Sequence, residues 1–254
     1  MQGELLAGKV AIVTGGGRGL GRGLALALSA AGADVVIAGR SADALAATVA
    51  ELTRRGGSGL AVTMDVTVAD DVDRLVQTTV NTFGTVDILV NNAQGPHGHG
   101  RLLDVTDEQF ETGFQSGPLA AFRLMRACHP HLRGGGVVVN LGTGASLRSD
   151  PAAYALYGAV KEATRFLSRV AAVEWAADGI RVHTIIPLAE TDALSSWAKA
   201  MPDDAESFRR SIPLGRWGDP ETDIGRAVVF LCGPDSGYIT GGTILIDGGQ
   251  AFLR

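Results

Sequence analysis

The stretch from Thr14 to Gly21, TGGGRGLG, constrains this chain more than any other. It follows an apolar run, Val10 to Val13, and leads into a segment whose Ala and Leu spacing reads as an amphipathic helix. Gly15, Gly19 and Gly21 stand at G-x-x-x-G-x-G, which lets the backbone turn sharply and brings unpaired N–H groups of a helix N-terminus close to an anionic pyrophosphate. The spacing differs from G-x-G-x-x-G, and Arg22-Gly23 stands where a P-loop carries Lys-Ser/Thr. The stretch reads as a dinucleotide site; a glycine-rich turn without a ligand is the alternative.

Apolar, β-branched runs recur at 10–14, 35–38, 60–66, 86–91, 136–141, 181–186 and 243–247, with helical segments between them. Such runs suit strands buried on both faces, and right-handed crossovers then give a doubly wound parallel sheet, an α/β fold. No linker breaks the rhythm, so residues 1–254 read as one domain. The first helix is expected from Arg22 to Ala31, with Gly32 as its C-terminal cap.

With 46% hydrophobic and 19% charged residues the composition is that of a soluble globular protein. A net charge of −5 supplies no basic footprint for nucleic acid or an anionic membrane. The N-terminus does not read as a secretory signal and no apolar stretch reaches the length of a membrane span, so a cytoplasmic protein is expected. Cys128 and Cys232 lie in helical apolar patterns and read as reduced core thiols.

The second strand ends at Gly39-Arg40, where an NAD site usually has a carboxylate about 20 residues past the glycines. Arg40 stands there instead, and Arg18 lies inside the glycine loop; two guanidinium groups suit a ribose 2′-phosphate, so the expected cofactor is NADP(H). Asp65-Val66 follows the third strand, as part of a ligand edge or as a cap on the helix expected over 68–83. Asn91 and Asn92 end the fourth strand and could support the cleft architecturally. His97 and His99 lack further ligands in view and read as a loop at the cleft mouth, with no metal.

A long helix is expected from Ala152 to Ala177. Within it Tyr157 and Lys161, at i and i+4, share one face, as a surface pair or as an acid/base pair. Residues 188–218, with Leu194, Trp197, Met201 and Phe208, interrupt the strand–helix rhythm as a lid over an apolar substrate, or as a packed helix pair or subunit contact.

Taken together, TGGGRGLG, Asp65, NNA at 91–93, YGAVK at 157–161 and the closing YITGG and IDGG resemble the single-domain short-chain dehydrogenase/reductase family over residues 8–249. The resemblance implies a Rossmann-like, seven-stranded parallel sheet with helices on both faces, assembled as a dimer or tetramer. It implies Tyr157 as the general acid toward a substrate carbonyl, or the base in reverse. Lys161 would hold the nicotinamide ribose and bring the tyrosine pKa toward neutrality. It places Gly15, Arg18, Gly19, Leu20 and Gly21 at the phosphates, Asp65 and Val66 at the adenine, Asn91 and Ala93 by the ribose region, and Pro187 and Thr191 near the carboxamide.

Four positions depart from the family pattern. Its helix asparagine, which supports a proton relay, aligns with Gly117. Its substrate-orienting serine falls on Gly144 when counted back from Tyr157 and on Thr143 when counted on from Asn140; Thr143 keeps a hydroxyl, with Ser146 in reserve. Gln94 and Leu188 replace glycines on the nicotinamide side. The leading reading is an NADPH-dependent ketone reductase, or alcohol dehydrogenase in reverse, for a mainly apolar small molecule. Gln94, Leu147, Tyr154, Leu188, Trp197 and Met201 are candidates for the pocket wall. Two rivals keep the fold: a non-redox elimination or isomerisation, and a non-catalytic NADP-binding partner subunit.

Overall fold

Alternate residues of the central strands feed two separate cores, which is why those strands are apolar at successive positions until their C-terminal ends, where Thr14, Asn91 and Asn140 stand. The computed structural model of the protein describes residues 5–95, 100–147 and 154–253. Among them β1 (Val10–Thr14), β2 (Asp34–Gly39), β3 (Gly59–Thr63), β4 (Ile88–Asn91), β5 (Val137–Leu141), β6 (Arg181–Pro187) and β7 (Thr243–Ile246) form one sheet in the order β3-β2-β1-β4-β5-β6-β7. Every pairing is parallel. The helices are α1 (Gly19–Ala30), α2 (Ala42–Arg54), α3 (Ala69–Phe83), α4 (Asp107–Phe114), α5 (Ala120–Leu132), α6 (Ala155–Glu174), α7 (Asp192–Ala200), α8 (Pro202–Arg210) and α9 (Arg226–Cys232).

On one face Ala11, Val13, Ile37 and Val139 pack against Leu24 and Leu28 of α1 and Val228 of α9. On the other Ile12, Val36 and Val138 meet Leu75 of α3, Leu124 of α5 and Ala171 of α6. Each fully buried leucine contributes about 1.5–3 kcal/mol. The chain winds outward from β1 to β3 and then crosses back to β4, so the sheet has its switch point between the C-terminal ends of β1 and β4, where open α/β sheets place ligands.

The first helix begins at Gly19, earlier than its Ala and Leu spacing suggests. Gly15 and Gly19 take φ of +69° and +51°, which turn the chain into helix within the glycine run itself. Cys128 and Cys232 are buried thiols, each pushed up to about 12 by burial. Helices α4 and α5 are joined through a π-helical turn, Gln115–Leu119, with Pro118 inside it; proline removes a backbone donor and the wider turn absorbs the break. Residues 188–218 contain α7 and α8, which pack with the Trp197 and Phe208 rings edge to face at 6.1 Å. No helix among the described residues is long and apolar enough to cross a membrane.

Candidate active site

The glycine loop is shaped by what surrounds it. A Cβ on Gly21 would lie 2.2 Å from the Gly15 carbonyl oxygen, and one on Gly15 would lie 2.7 Å from Asn92 Nδ2. Asn92 Nδ2 donates to the Thr14 carbonyl at 2.9 Å, and the Asn92 and Ala93 amides both donate to Thr14 Oγ1, at 3.1 and 3.0 Å. β4 and the glycine loop are thereby tied together at the switch point. No side chain caps the N-terminus of α1, so its first amides are offered to the crevice. Arg18 and Arg40 are exposed, and among the described residues neither forms an ion pair.

Asp65 does not cap α3, whose N-cap position is Val68. Its carboxylate accepts from the Thr67 amide at 2.9 Å and the Thr67 hydroxyl at 2.7 Å, bonds that hold it below the usual carboxylate value, with the charge of Arg40 adding to the effect. A cradle that side chains would fill, an uncapped helix N-terminus and two unpaired guanidinium groups fit a phosphorylated dinucleotide.

Beyond the crevice lies a cleft of about 420 Å³, lined among others by Leu20, Gln94, Thr143, Tyr154, Tyr157, Lys161, Pro187, Leu188 and Thr191. Tyr157 and Lys161 share a face of α6 with Lys161 Nζ 5.7 Å from the centre of the Tyr157 ring. Lys161 is buried, and burial brings its pKa down to about 8. The Tyr157 hydroxyl is pushed up, first by burial and also by Tyr154, while a hydrogen bond to the Thr143 side chain opposes the shift. The resemblance implies a near-neutral tyrosine; these side chains shift the phenol the other way, because the ammonium sits over the ring and desolvation of the phenol dominates.

Thr143 and Ser146 are separated by local geometry. Thr143 caps a short 3₁₀ turn, accepting from the Ala145 amide at 3.3 Å, and reaches Tyr157. Ser146 donates to the Thr143 carbonyl at 2.8 Å. It is the Thr143 hydroxyl, of the two, that lines the cleft.

The structure redistributes other candidates. Asn91 turns away from the cleft: its Nδ2 donates to Asn140 Oδ1 at 2.7 Å, because the parallel register sets the two residues side by side. Val66 and Asn91 line a second, smaller cavity behind Lys161. Gln94, Tyr154 and Leu188 line the cleft, whereas Leu147, Trp197 and Met201 do not; α7 presents Leu194 to the cleft, α8 presents Phe208, and Trp197 packs on the Phe208 ring. Thr191 caps α7, accepting from the Leu194 amide at 3.2 Å. Sequence reasoning missed Asp247 and Gln250 at the cleft, and its one available signal was the closing IDGG. His97 and His99 lie outside the described residues. Among those described, no three His, Cys, Asp or Glu side chains are grouped as for a metal ion.

A doubly wound parallel sheet with a glycine cradle at its switch point and a Tyr/Lys pair across the crevice defines a Rossmann-type nucleotide-dependent enzyme. A family described as enoyl-(acyl carrier protein) reductase matches residues 15–251. The chain is 41% identical to a 12α-hydroxysteroid dehydrogenase of a Clostridium species over 251 residues, covering 96% of each. It is 36% identical to a hydroxynaphthalene reductase-like protein of Metarhizium anisopliae over 257 residues, again 96% of each. A blue fluorescent protein from a metagenomic library, solved in complex with NADPH, superposes with a TM-score of 0.89 at 32% identity, covering 98% of this chain and 100% of that one. The chain belongs to the short-chain dehydrogenase/reductase family. It is an oxidoreductase of that family, whose members use a nicotinamide cofactor.

Proposed function

We propose that this protein is an NADP(H)-dependent reductase of a ketone on a fused-ring, mainly apolar small molecule such as a hydroxysteroid, or the dehydrogenase of the corresponding secondary alcohol in reverse. The observation that carries the reading is Tyr157: a phenol raised above its ordinary pKa, hydrogen-bonded to the Thr143 side chain, in a cleft whose walls include Leu188, Leu194 and Phe208. A tyrosine held protonated through the neutral range is in the state needed to donate to a carbonyl oxygen. Thr143 orients that oxygen beside it. Bound nicotinamide supplies or accepts the hydride. In the alcohol-oxidising direction Tyr157 serves as the base.

The glycine loop from Gly15 to Gly21 would hold the pyrophosphate on the α1 amides, and Arg18 and Arg40 the 2′-phosphate. Asp65 would meet the adenine side, Ala93 the ribose region, Lys161 the nicotinamide ribose, and Pro187 and Thr191 its carboxamide. The hydroxysteroid and hydroxynaphthalene names of two relatives support a fused-ring substrate, and the NADPH bound in a structural neighbour supports the phosphorylated cofactor.

We further infer one catalytic domain, with residues 188–218 as its lid, acting as a cytoplasmic homo-oligomer. Phe110 of α4, Phe122 of α5 and Phe166 and Val173 of α6 are exposed and apolar, which supports subunit contact through these helices. The buried thiols of Cys128 and Cys232 suit a reducing compartment.

The test is titration with NADPH and NADH, followed by a panel of fused-ring ketones read at the nicotinamide absorbance. Selective NADPH binding with oxidation by a panel member is expected. Product formation without an absorbance change would replace the redox reading with elimination or isomerisation. Cofactor binding without any product would replace it with the partner-subunit reading, which Gly117 favours.

A further inference from the structure

Behind Lys161 lies a small cavity, about 10 Å³ of it open to the centre of a water molecule, which is about what one ordered water needs. Its lining includes Lys161, Asn91, Gln94 and Gly117. Gln94 and Lys161 also line the cleft, so their side chains stand between the two spaces.

Two carboxamides there are oriented by hydrogen-bond chains that end on helix carbonyls. Ser168 donates to the Thr164 carbonyl at 2.7 Å, so its oxygen accepts from Asn140 Nδ2 at 2.8 Å; Asn140 Oδ1 then accepts from Asn91 Nδ2 at 2.7 Å. That sequence leaves Asn91 Oδ1 as a buried acceptor without a partner among the described residues. Likewise Ser116 gives its proton to the Thr112 carbonyl at 2.9 Å and accepts from Gln94 Nε2 at 3.3 Å. A hydroxyl has a single proton, so both amide orientations follow, and Gln94 Oε1 is left as an acceptor. Lys161, buried and with its ammonium over the Tyr157 ring, lines the same cavity and carries three donors.

Gly117 explains how Gln94 reaches this place. A Cβ at position 117 would lie 2.4 Å from Val160 Cγ1 and 3.3 Å from both Gln94 Nε2 and Oε1. A side chain on the helix break and the Gln94 carboxamide compete for one space.

We propose that Gln94 is a positioning residue for Lys161: its carboxamide takes the space that Gly117 leaves at the π-helical turn and, with Asn91 Oδ1, holds an ordered water against the Lys161 ammonium. This rests on the proposed roles of Tyr157 and Lys161 for its catalytic consequence, but the arrangement itself is a property of the cofactor-free protein. The water gives the buried ammonium an acceptor, none being bonded to it among the described side chains, and keeps it charged and in place. The ionisable groups that line the cleft with Lys161 are Tyr157 on its own helix, Tyr154 at the N-cap of that helix, and Asp247; among the described residues the small cavity contributes none besides Lys161.

The chain has three lysines, Lys9, Lys161 and Lys199, so 13C-lysine NMR resolves the titration of Lys161 without cofactor or substrate, with Lys161→Met giving the assignment. Gln94→Met preserves volume and removes both the donor and the acceptor; Gln94→Glu keeps an acceptor and adds charge. The Lys161 midpoint is expected to fall by about one pKa unit, a tenfold change in proton affinity, in Gln94→Met, and to rise above the wild-type value in Gln94→Glu. kcat of Gln94→Met should fall by about the same factor, with KM for the cofactor unchanged. Identical midpoints in the wild type and both variants overturn the proposal, whatever the activity does. Full activity of Tyr157→Phe would instead remove the proposed reaction and leave the midpoints to decide the role of Gln94.

Discussion

Lys161 Nζ lies 5.7 Å from the centre of the Tyr157 ring, and the same helix buries Lys161 and half-buries Tyr157 at the cleft. Burial brings Lys161 from 10.5 down to about 8. Between these values the unfolded chain binds a proton that the folded chain does not, so stability rises with pH across the window. Below about pH 8 the folded state carries the full penalty of a buried charge, on the order of 3 kcal/mol. Lys161→Met should therefore stabilise the cofactor-free protein at pH 7, and the gain should shrink as pH rises from 8 toward 10.5. Urea unfolding at pH 7 and pH 10 measures this, and equal differences at both would exclude desolvation of Lys161 as the cause.

Thr143 reaches Tyr157 whereas Ser146 donates to the Thr143 carbonyl. Thr143→Ala should lower kcat by about 10²-fold while Thr143→Ser retains most of it, the hydroxyl being the working group. Ser146→Ala should stay near wild type. Steady-state kinetics on all three variants checks the assignment; a reversed ranking would give Ser146 the orienting role.

Arg18 and Arg40 flank the mouth of the cradle without carboxylate partners among the described residues. Each charge-assisted hydrogen bond to a phosphate is worth about 1.5–3 kcal/mol, so Arg18→Ala or Arg40→Ala should weaken NADPH by about tenfold to a hundredfold and leave NADH nearly unchanged. Fluorescence titration with both cofactors is the measurement. Equal losses for the two would remove the 2′-phosphate from the argument.

His183 is fully buried on β6, with Nε2 3.3 Å from Arg181 Nη1. Burial, helped by the Arg181 charge, lowers its pKa from 6.5 to about 4. Its neutral form is compatible with the fold at full strength above pH 6.5. As pH falls from 6.5 to 4 the unfolded state gains a proton first, and stability drops by up to about 3 kcal/mol. His183→Gln should lose less stability than the wild type between pH 7 and pH 4.5, as read by denaturant midpoints. Parallel losses would assign acid sensitivity elsewhere.

Much of the frame was legible because the sheet is buried on both faces. VAIV, VVIA and VVV are apolar at successive positions, and the expected strands match the observed ones to within a few residues. β3 ends at Thr63, short of the expected 66, where the chain leaves the sheet and Asp65 bonds Thr67. The expected helix over 152–177 is described from Ala155 to Glu174, its first residues falling outside the described range. The segment 188–218 was legible as an interruption, but its inward face was not: Leu194 and Phe208 reach the cleft while Trp197 packs on Phe208, a choice made by how α7 and α8 cross.

By itself the sequence determined the winding of the sheet, the glycine cradle and the Tyr157/Lys161 pair. These depend on local conformation and short-range periodicity: positive φ at Gly15 and Gly19, strand runs buried on two sides, and residues four apart on one helix. The tertiary structure alone decided that Asn91 turns to Asn140, that Thr143 rather than Ser146 meets Tyr157, and that Gln94 fills the space beside Gly117. Each of those outcomes is a competition for one volume or one proton between groups far apart in the chain, and such competition is settled only when β4, β5, α6 and the π-helical turn are packed together.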